Sequence, residues 1–216
     1  MKPLSQEELG RRNDKMRRSW AKQAPRYDKS MRFFEGRVFG PQHRQWACSR
    51  ASGDTLEVAV GTALNLPLLP DRISATGIDI SLEMLEIARR RSAELGRDIE
   101  LIEGDAHQLP FADASFDTVL CTYSLCNIPD PRRAVAEMRR VMRPEGRLIL
   151  VDHVGSRFKP FYWFQRFIEF FSLRLEGEHL TRRPLEYVEA EGLQVIERDR
   201  LGPAGIVERL IAVNPR

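Results

Sequence analysis

Cysteine is scarce: only Cys48, Cys121 and Cys126 occur in 216 residues. They show no metal-ligand spacing, and their odd number suits a reducing cytosol, so a disulfide-stapled scaffold and a thiolate metal site are both excluded. The plain reading of all three is a buried small hydrophobe. No uninterrupted apolar stretch reaches the ~18 residues that a spanning helix needs. The first 30 residues are charged throughout, leaving no place for a secretory leader. There are no repeats or low-complexity tracts. What is present is an ordinary globular composition at a length that suits a single domain, 1–216, with ample core. Net charge is +3 but uneven. Residues 1–50 carry 13 Lys+Arg against 5 Asp+Glu, hence +8, which leaves −5 for the rest. The basic start is expected to meet something negative.

The chain is organised around Asp54-Thr55-Leu56-Glu57-Val58-Ala59-Val60-Gly61-Thr62-Ala63. A strand-type alternation (Leu56, Val58, Val60) stops at the turn Gly61-Thr62-Ala63, and Leu64 to Leu69 reads as a short helical start. Open α/β sheets place ligands at the carboxyl ends of strands, and small residues let backbone N–H groups approach a ligand closely. Taken alone, the stretch is equally an ordinary strand-turn-helix. Ala59 and Ala63 are expected at negative φ, because a Cβ disfavours the left-handed region.

The spacing downstream decides. Ala75-Thr76-Gly77-Ile78-Asp79-Ile80 is a second buried-strand run. Its acidic tip comes about 20 residues after the turn, where a carboxylate can accept hydrogen bonds from ribose hydroxyls. Ser81 can cap the following helix. Ile99 to Glu103 is a third strand, and Gly104-Asp105-Ala106 puts a carboxylate at its tip, suited to an adenine amino group.

The turn resembles the E-x-G-x-G-T-G loop of class I S-adenosylmethionine-dependent methyltransferases, with Ala59 and Ala63 in place of two glycines. Leu109-Pro110-Phe111-Ala112-Asp113-Ala114-Ser115-Phe116-Asp117-Thr118-Val119 resembles their L-P-F-x-D-x-S-F-D-x-V segment. Glu137-Met138-Arg139-Arg140-Val141-Met142-Arg143-Pro144-Glu145-Gly146-Arg147-Leu148 resembles their E-x-x-R-V-L-x-P-G-G-x-L segment. The resemblance implies S-adenosyl-L-methionine as cofactor and S-adenosyl-L-homocysteine as product. It implies cofactor contacts from Tyr27, Glu57, Ala59, Gly61, Thr62 and Asn65, from Asp79, Ile80 and Met84, and from Asp105, Ala106, His107 and Thr122.

The fold class is α/β: a Rossmann-like, seven-stranded, mostly parallel sheet with helices on both faces. Strands are expected near 54–60, 75–80, 98–103, 116–122, 145–153, 193–200 and 206–213, and helices near 81–95, 131–143 and 184–191. Within it, 1–50 is a basic helical cap or lid and 156–183 an aromatic-rich insertion.

Ser5-Gln6-Glu7-Glu8 is a capping box, with Leu4 and Leu9 as its staple. Leu9, Met16 and Trp20 form a narrow apolar stripe in a helix otherwise filled by Arg11, Arg12, Lys15, Arg18 and Lys22. Either the stripe covers core, or residues 1–24 lie on an anionic membrane with the stripe inserted. Pro25 is expected to break this helix, and a further helix to run from Arg37 to Ala51. Pro25-Arg26-Tyr27-Asp28 resembles the Y-D segment that lies over the cofactor in the quinone and phospholipid branches of the family.

The chemistry implied is in-line placement of an acceptor lone pair against an already activated methyl, with water excluded. The expected catalytic residues are His153, at the tip of the fifth strand, Tyr123, just after the fourth, and Tyr27. An ammonium acceptor must first lose a proton, for which His153 is the candidate base. Cys121-Thr122-Tyr123-Ser124-Leu125 lacks the N-P-P-Y-type sequence of the DNA-adenine and protein-glutamine N-methyltransferases. Neither nucleic acid nor metal is an expected partner.

Phe158 to Leu175 holds six of the eleven phenylalanines, with Tyr162 and Trp163. In helical register Tyr162, Arg166, Glu169 and Ser172 form a polar stripe, and Lys159 and Arg174 flank the segment. It is either core or the wall for a lipophilic substrate and its membrane. Downstream, His179, Arg182 and Arg183 could grip a phosphate.

These features resemble the soluble, membrane-associating bacterial phospholipid N-methyltransferases, which convert phosphatidylethanolamine to phosphatidylcholine. The resemblance implies a cytoplasmic, peripherally membrane-associated protein with substrate contacts from Tyr27, Tyr123, His153, Trp163, His179, Arg182 and Arg183. Quinone C-methyltransferases and thiol or small-molecule methyltransferases share the sheet and remain alternatives. A non-catalytic cofactor-binding protein is a remote one.

Overall fold

The computed structural model describes residues 4–175 and 179–215. The side chain of Arg174, and residues 1–3 and 176–178 of the two segments singled out above, lie outside the described residues. Seven strands form the sheet: β1 (Asp54–Val58), β2 (Ser74–Asp79), β3 (Glu100–Glu103), β4 (Phe116–Thr122), β5 (Met142–His153), β6 (Gln194–Leu201) and β7 (Val207–Val213). Their order is β3-β2-β1-β4-β5-β7-β6. All neighbours are parallel except β7, which runs antiparallel to β5 and β6.

The sheet is covered on both faces because its central strands are apolar on both faces. Along β5, Leu148 and Leu150 enter one layer and Ile149 and Val151 the other, as the two-residue period of a strand requires. The first layer is closed by helices α4 (Pro131–Val141) and α6 (Pro184–Ala190). The second is closed by α2 (Gln42–Cys48) and α3 (Leu82–Leu95). Helix α3 starts where the Ser81 hydroxyl accepts the Met84 amide and stops at Gly96, which adopts φ +60°. The chain leaves β1 for β2 on one side while β4 lies on the other, so β1 and β4 flank a switch point. Ligands of open α/β sheets bind in the crevice at such a point.

Three local expectations are corrected. The first helix, α1, runs unbroken from Gln6 to Phe34 with Pro25 inside it. A proline costs about 3 kcal/mol in a helix interior, and here the turns on either side are pinned. Ala24 is buried, and the Asp28 carboxylate accepts the Thr62 hydroxyl at 2.6 Å and pairs with Arg91. The helix expected from Arg37 to Ala51 is instead a π-helical turn, Glu35–Phe39, followed by α2. Gly40 at φ +103° and Pro41, which cannot donate to a preceding turn, separate the two.

The third correction concerns the loop after β1. Ala59 and Ala63 take φ +56° and +58°, alongside Gly61 at +56°. The loop keeps a glycine-type conformation despite its alanines because its backbone is tied down. Val60 N–H donates to the Ile78 carbonyl at 3.0 Å and Gly61 N–H to Asp79 Oδ2 at 2.8 Å. Replacing the partly exposed Ala59 by glycine should therefore raise stability by roughly 0.5–1 kcal/mol. That corresponds to an increase in Tm of about 1–4 °C for a chain of this size. A Tm lowered by Ala59→Gly would contradict the left-handed placement.

Candidate functional site

The crevice is built from the loops at the carboxyl ends of β1 to β4. Asp79 sits at its centre, buried at the tip of β2. Its Oδ2 accepts Gly61 N–H at 2.8 Å and its Oδ1 accepts Ser81 N–H at 2.9 Å. Burial raises its pKa to about 6, against these backbone bonds, which pull it down. Ile80 and Met84 lie beside it.

Asp105, at the tip of β3, accepts the His107 amide at 2.9 Å and the His107 ring Nδ1 at 2.5 Å. Its other oxygen accepts Asn13 Nδ2 at 2.6 Å. Burial pushes this carboxyl upward, but the bonds from His107 and Asn13 prevail and hold it below the usual range. His107 also accepts the Asp130 amide at 3.1 Å, so its ring joins the loops after β3 and β4.

The roof is α1, and Asn13, Met16, Trp20 and Tyr27 face the crevice from it. The stripe Leu9, Met16 and Trp20 is thus turned toward the protein, with Leu9 buried, and not outward toward a membrane. Asn13 was missed by sequence reasoning. Its signal was a polar residue inside that apolar stripe, four after Leu9 and three before Met16. It is buried, and its Oδ1 has no hydrogen-bond partner among the described residues. Such an acceptor suits an adenine amino group, and Asp79 suits the ribose hydroxyls. The residues present therefore fit an adenosyl cofactor, which they would hold under α1.

Behind the loop, Glu57, Asn65 and Thr122 do not face the crevice but form a buried network around Arg44. The Arg44 guanidinium bonds Glu35 at 2.7 Å, Asn65 Oδ1 at 3.0 Å and Thr122 at 2.9 Å, while Asn65 Nδ2 donates to Glu57 at 2.8 Å. Burial pushes the Glu57 pKa up to about 7, with Arg44 opposing. Thr62 gives its hydroxyl to Asp28. These four act on the cofactor loop from behind.

Trp20, Tyr27, Tyr123 and Asn127 line both the crevice and a larger cavity of about 680 Å³. That cavity lies between α1 and α5 (Lys159–Leu175). His153 and Phe39 line it, their rings stacked at 5.8 Å. Tyr123 takes φ +52°, a strained conformation at the end of β4. Phe39 stacks on its ring at 5.3 Å, and the Arg44 guanidinium lies 5.1 Å from its centroid. Its buried hydroxyl has no hydrogen-bond partner among the described residues. Burial pushes the Tyr27 phenol up to about 12 and the Tyr123 phenol higher still, so both are protonated at neutral pH. Behind His153, the Asp152 carboxylate accepts the amides of Cys126 at 2.9 Å and His153 at 2.8 Å. Possible ligand atoms of Cys126, Asp152 and His153 lie within 4.8 Å of one another.

The expected phosphate grip is not assembled. Arg182 is buried and donates to the carbonyls of Leu125 and Ile128, both at 2.6 Å, so it braces the loop after β4. Arg183 is exposed and pairs with Glu186 at 3.0 Å. His179 donates its amide to the Cys126 carbonyl, and burial lowers its pKa to about 4. None of the three lines either cavity. Nor does Trp163, which is 69% exposed.

Helix α5 is inverted relative to a core helix. Its inward face is polar: Gln165 accepts the Ser156 amide at 2.6 Å and donates to the Val154 carbonyl at 3.1 Å, and Glu169 accepts from Thr181. Glu169 is 2% exposed, whereas Phe167 is 65% exposed and Phe158, Phe164, Phe170 and Phe171 are all exposed. The core reading of this segment is thereby overturned. Among the described residues no helix is long and apolar enough to cross a membrane.

The family profile for a methyltransferase domain matches residues 56–150. The chain is 36% identical to a phosphatidylethanolamine N-methyltransferase of Cereibacter sphaeroides over 179 residues, covering 81% of this chain and 87% of that protein. It is 34% identical to a demethylmenaquinone methyltransferase of Renibacterium salmoninarum over 166 residues, covering 73% and 67%. Among solved structures, a SAM-dependent methyltransferase of Thermotoga maritima shares the fold with a TM-score of 0.67 at 21% identity, covering 91% of this chain and 99% of that one.

The site predicts a pH-dependent cofactor affinity. The carboxylate form of Asp79 accepts the ribose bonds, so affinity should weaken as pH falls through about 6 instead of holding to about 4. Asp79→Asn should abolish that dependence and weaken binding about ten- to a hundred-fold, equivalent to ~1.5–3 kcal/mol. Calorimetry showing an unchanged affinity would remove Asp79 from the cofactor site. Asn13→Ala should weaken binding about ten-fold, the value of one buried bond; undiminished affinity would take α1 out of the adenine pocket.

Proposed function

Because this chain belongs to the class I S-adenosylmethionine-dependent methyltransferases, we propose that it methylates the amine of phosphatidylethanolamine, toward phosphatidylcholine. The observation that carries this reading is the 680 Å³ cavity between α1 and α5, which shares Tyr27 and Tyr123 with the cofactor crevice. Its walls are largely apolar, with Met31, Val38, Phe161 and Ile168 among them. The relative named for phosphatidylethanolamine N-methylation, aligned over most of both chains, supports the same assignment.

When bound, the cofactor supplies a methyl already activated by its sulfonium. The chain's own task is to present a neutral amine in line with it and to keep water out. Tyr27 and Tyr123 stay protonated and cannot take the proton. His153, whose imidazole lines the cavity, is the group suited to take it. The Tyr123 hydroxyl oxygen can accept an amine N–H, which leaves the lone pair free to face the methyl. Tyr27 and Phe39 offer aromatic faces to the growing cation, worth up to ~2 kcal/mol when desolvated.

Membrane contact follows from α5. Its outward aromatics form an exposed apolar face of the kind that marks a membrane or partner site. The exposed arginines and lysines of α1 add attraction to anionic lipid at about 1 kcal/mol per residue near the surface. Insertion thus belongs to α5 and electrostatics to α1. A second reading, quinone C-methylation, is favoured by the demethylmenaquinone relatives and by the same apolar walls.

Purified protein with labelled S-adenosylmethionine should transfer label to phosphatidylethanolamine and its methylated products. Label entering a demethyl-quinone but no aminophospholipid would move the assignment to the second reading. Trp163→Ser with Phe167→Ser should weaken sedimentation with phosphatidylglycerol-rich vesicles ten-fold or more, since an inserted aromatic contributes ~1.5–3 kcal/mol. Equal sedimentation of variant and wild type would take α5 off the membrane.

A further inference from the structure

Among the described residues the cavity between α1 and α5 has no acidic residue in its lining, and its permanently charged side chains are Lys22 and Arg26. They stand one helical turn apart on α1, on the same side of the helix. Three earlier arginines of that helix are neutralised locally, though Arg18 is not among them: Arg11 pairs with Glu7, Arg12 with Glu8 and Arg17 with Asp14. Lys22 and Arg26 form no ion pair or hydrogen bond among the described residues. The one acid nearby in sequence, Asp28, is engaged by Thr62 and Arg91. Two like charges at this spacing repel, and an anionic ligand held between them would supply the counter-charge.

Their place along the helix sets what that ligand is. Arg26 adjoins Tyr27, which lines both the cavity and the cofactor crevice, and Lys22 lies about 6 Å from Arg26 along the axis at 1.5 Å per residue. An anion held between them would sit just outside Tyr27, with the apolar walls of α5 opposite. In an ethanolamine phosphodiester, two methylenes and an ester oxygen separate phosphorus from nitrogen. A phosphate at Lys22 and Arg26 therefore leaves the amine to reach inward toward Tyr27, Tyr123 and His153, and leaves the acyl chains against Phe161, Phe164 and Ile168. We infer that Lys22 and Arg26 form the phosphate subsite of the acceptor, a role for which Arg182 and Arg183 are not among the lining residues. This inference rests on the aminophospholipid reading above and names the part of the site that recognises its headgroup.

The test is calorimetric titration of dihexanoylphosphatidylethanolamine, kept below its micelle concentration, into full-length protein saturated with S-adenosylhomocysteine. Wild type should bind, and Lys22→Gln with Arg26→Gln should bind at least ten-fold more weakly while retaining cofactor affinity, which reports intact folding. Arg18→Gln, a cation of the same helix outside the lining, should bind as wild type does. In uncharged mixed micelles the double variant should raise KM with little change in kcat, the signature of lost uniform binding. Equal binding by wild type and double variant overturns the subsite and leaves the aminophospholipid reading standing. Weakened binding with no methyl transfer to any aminophospholipid supports the subsite and overturns that reading. Phosphoethanolamine binding as tightly as the lipid would support the phosphate grip and assign it to a free phosphate ester. Failure of wild type to bind any of these anions overturns the inference.

Discussion

The Asp79 carboxylate holds the site together. By accepting the amides of Gly61 and Ser81 it ties the loop after β1 to the start of α3, beside the β1–β4 point where the sheet order reverses. The loop then carries three left-handed residues in five, two of them alanines. Such a loop is costly, and only a fixed acceptor at its centre and packing beneath it keep it in place. Everything that approaches the loop depends on that geometry. Asp28 reaches it through Thr62, and α1 is thereby laid across the crevice. The acid is buried enough to titrate near neutrality, so the bonds that shape the loop and the charge that receives a ribose come from one group.

From this anchor the molecule separates two tasks. The crevice over β1 to β3 would hold the nucleoside end of the cofactor under Asn13 and Trp20, and the cavity between α1 and α5 would receive an acceptor. Tyr27 and Tyr123 stand on the shared boundary. Buried phenols with raised pKa values are poor bases but durable donors, which suits a place where a methyl must pass and water must not.

The sheet was legible in the sequence because period-two burial, acidic strand tips and caps such as Ser81 all point to one register. Asp79, Asp105 and Gly61 were legible for the same reason, since their spacing follows from strand and loop lengths. The continuity of α1 was not. A proline predicts a break, and only the distant anchors Arg91 and Thr62 override it. The orientation of α5 was likewise hidden. Glu169 looks like part of a surface stripe, and Gln165 stands outside it, until the loop amides and carbonyls they satisfy are seen, so the sequence leaves the segment as either core or substrate wall. Arg182 shows the same limit: its partners are carbonyls more than 50 positions away in the chain, which no local pattern reveals.

The account stands on the acceptor amine meeting the methyl between Tyr27, Tyr123 and His153. A crystal structure with S-adenosylhomocysteine and a short-chain phosphatidylethanolamine tests this most directly. It should show the amine among those three side chains, in line with the cofactor sulfur, and the acyl chains between α1 and α5. A headgroup lodged elsewhere, with the α1–α5 cavity filled by protein or solvent, would contradict it.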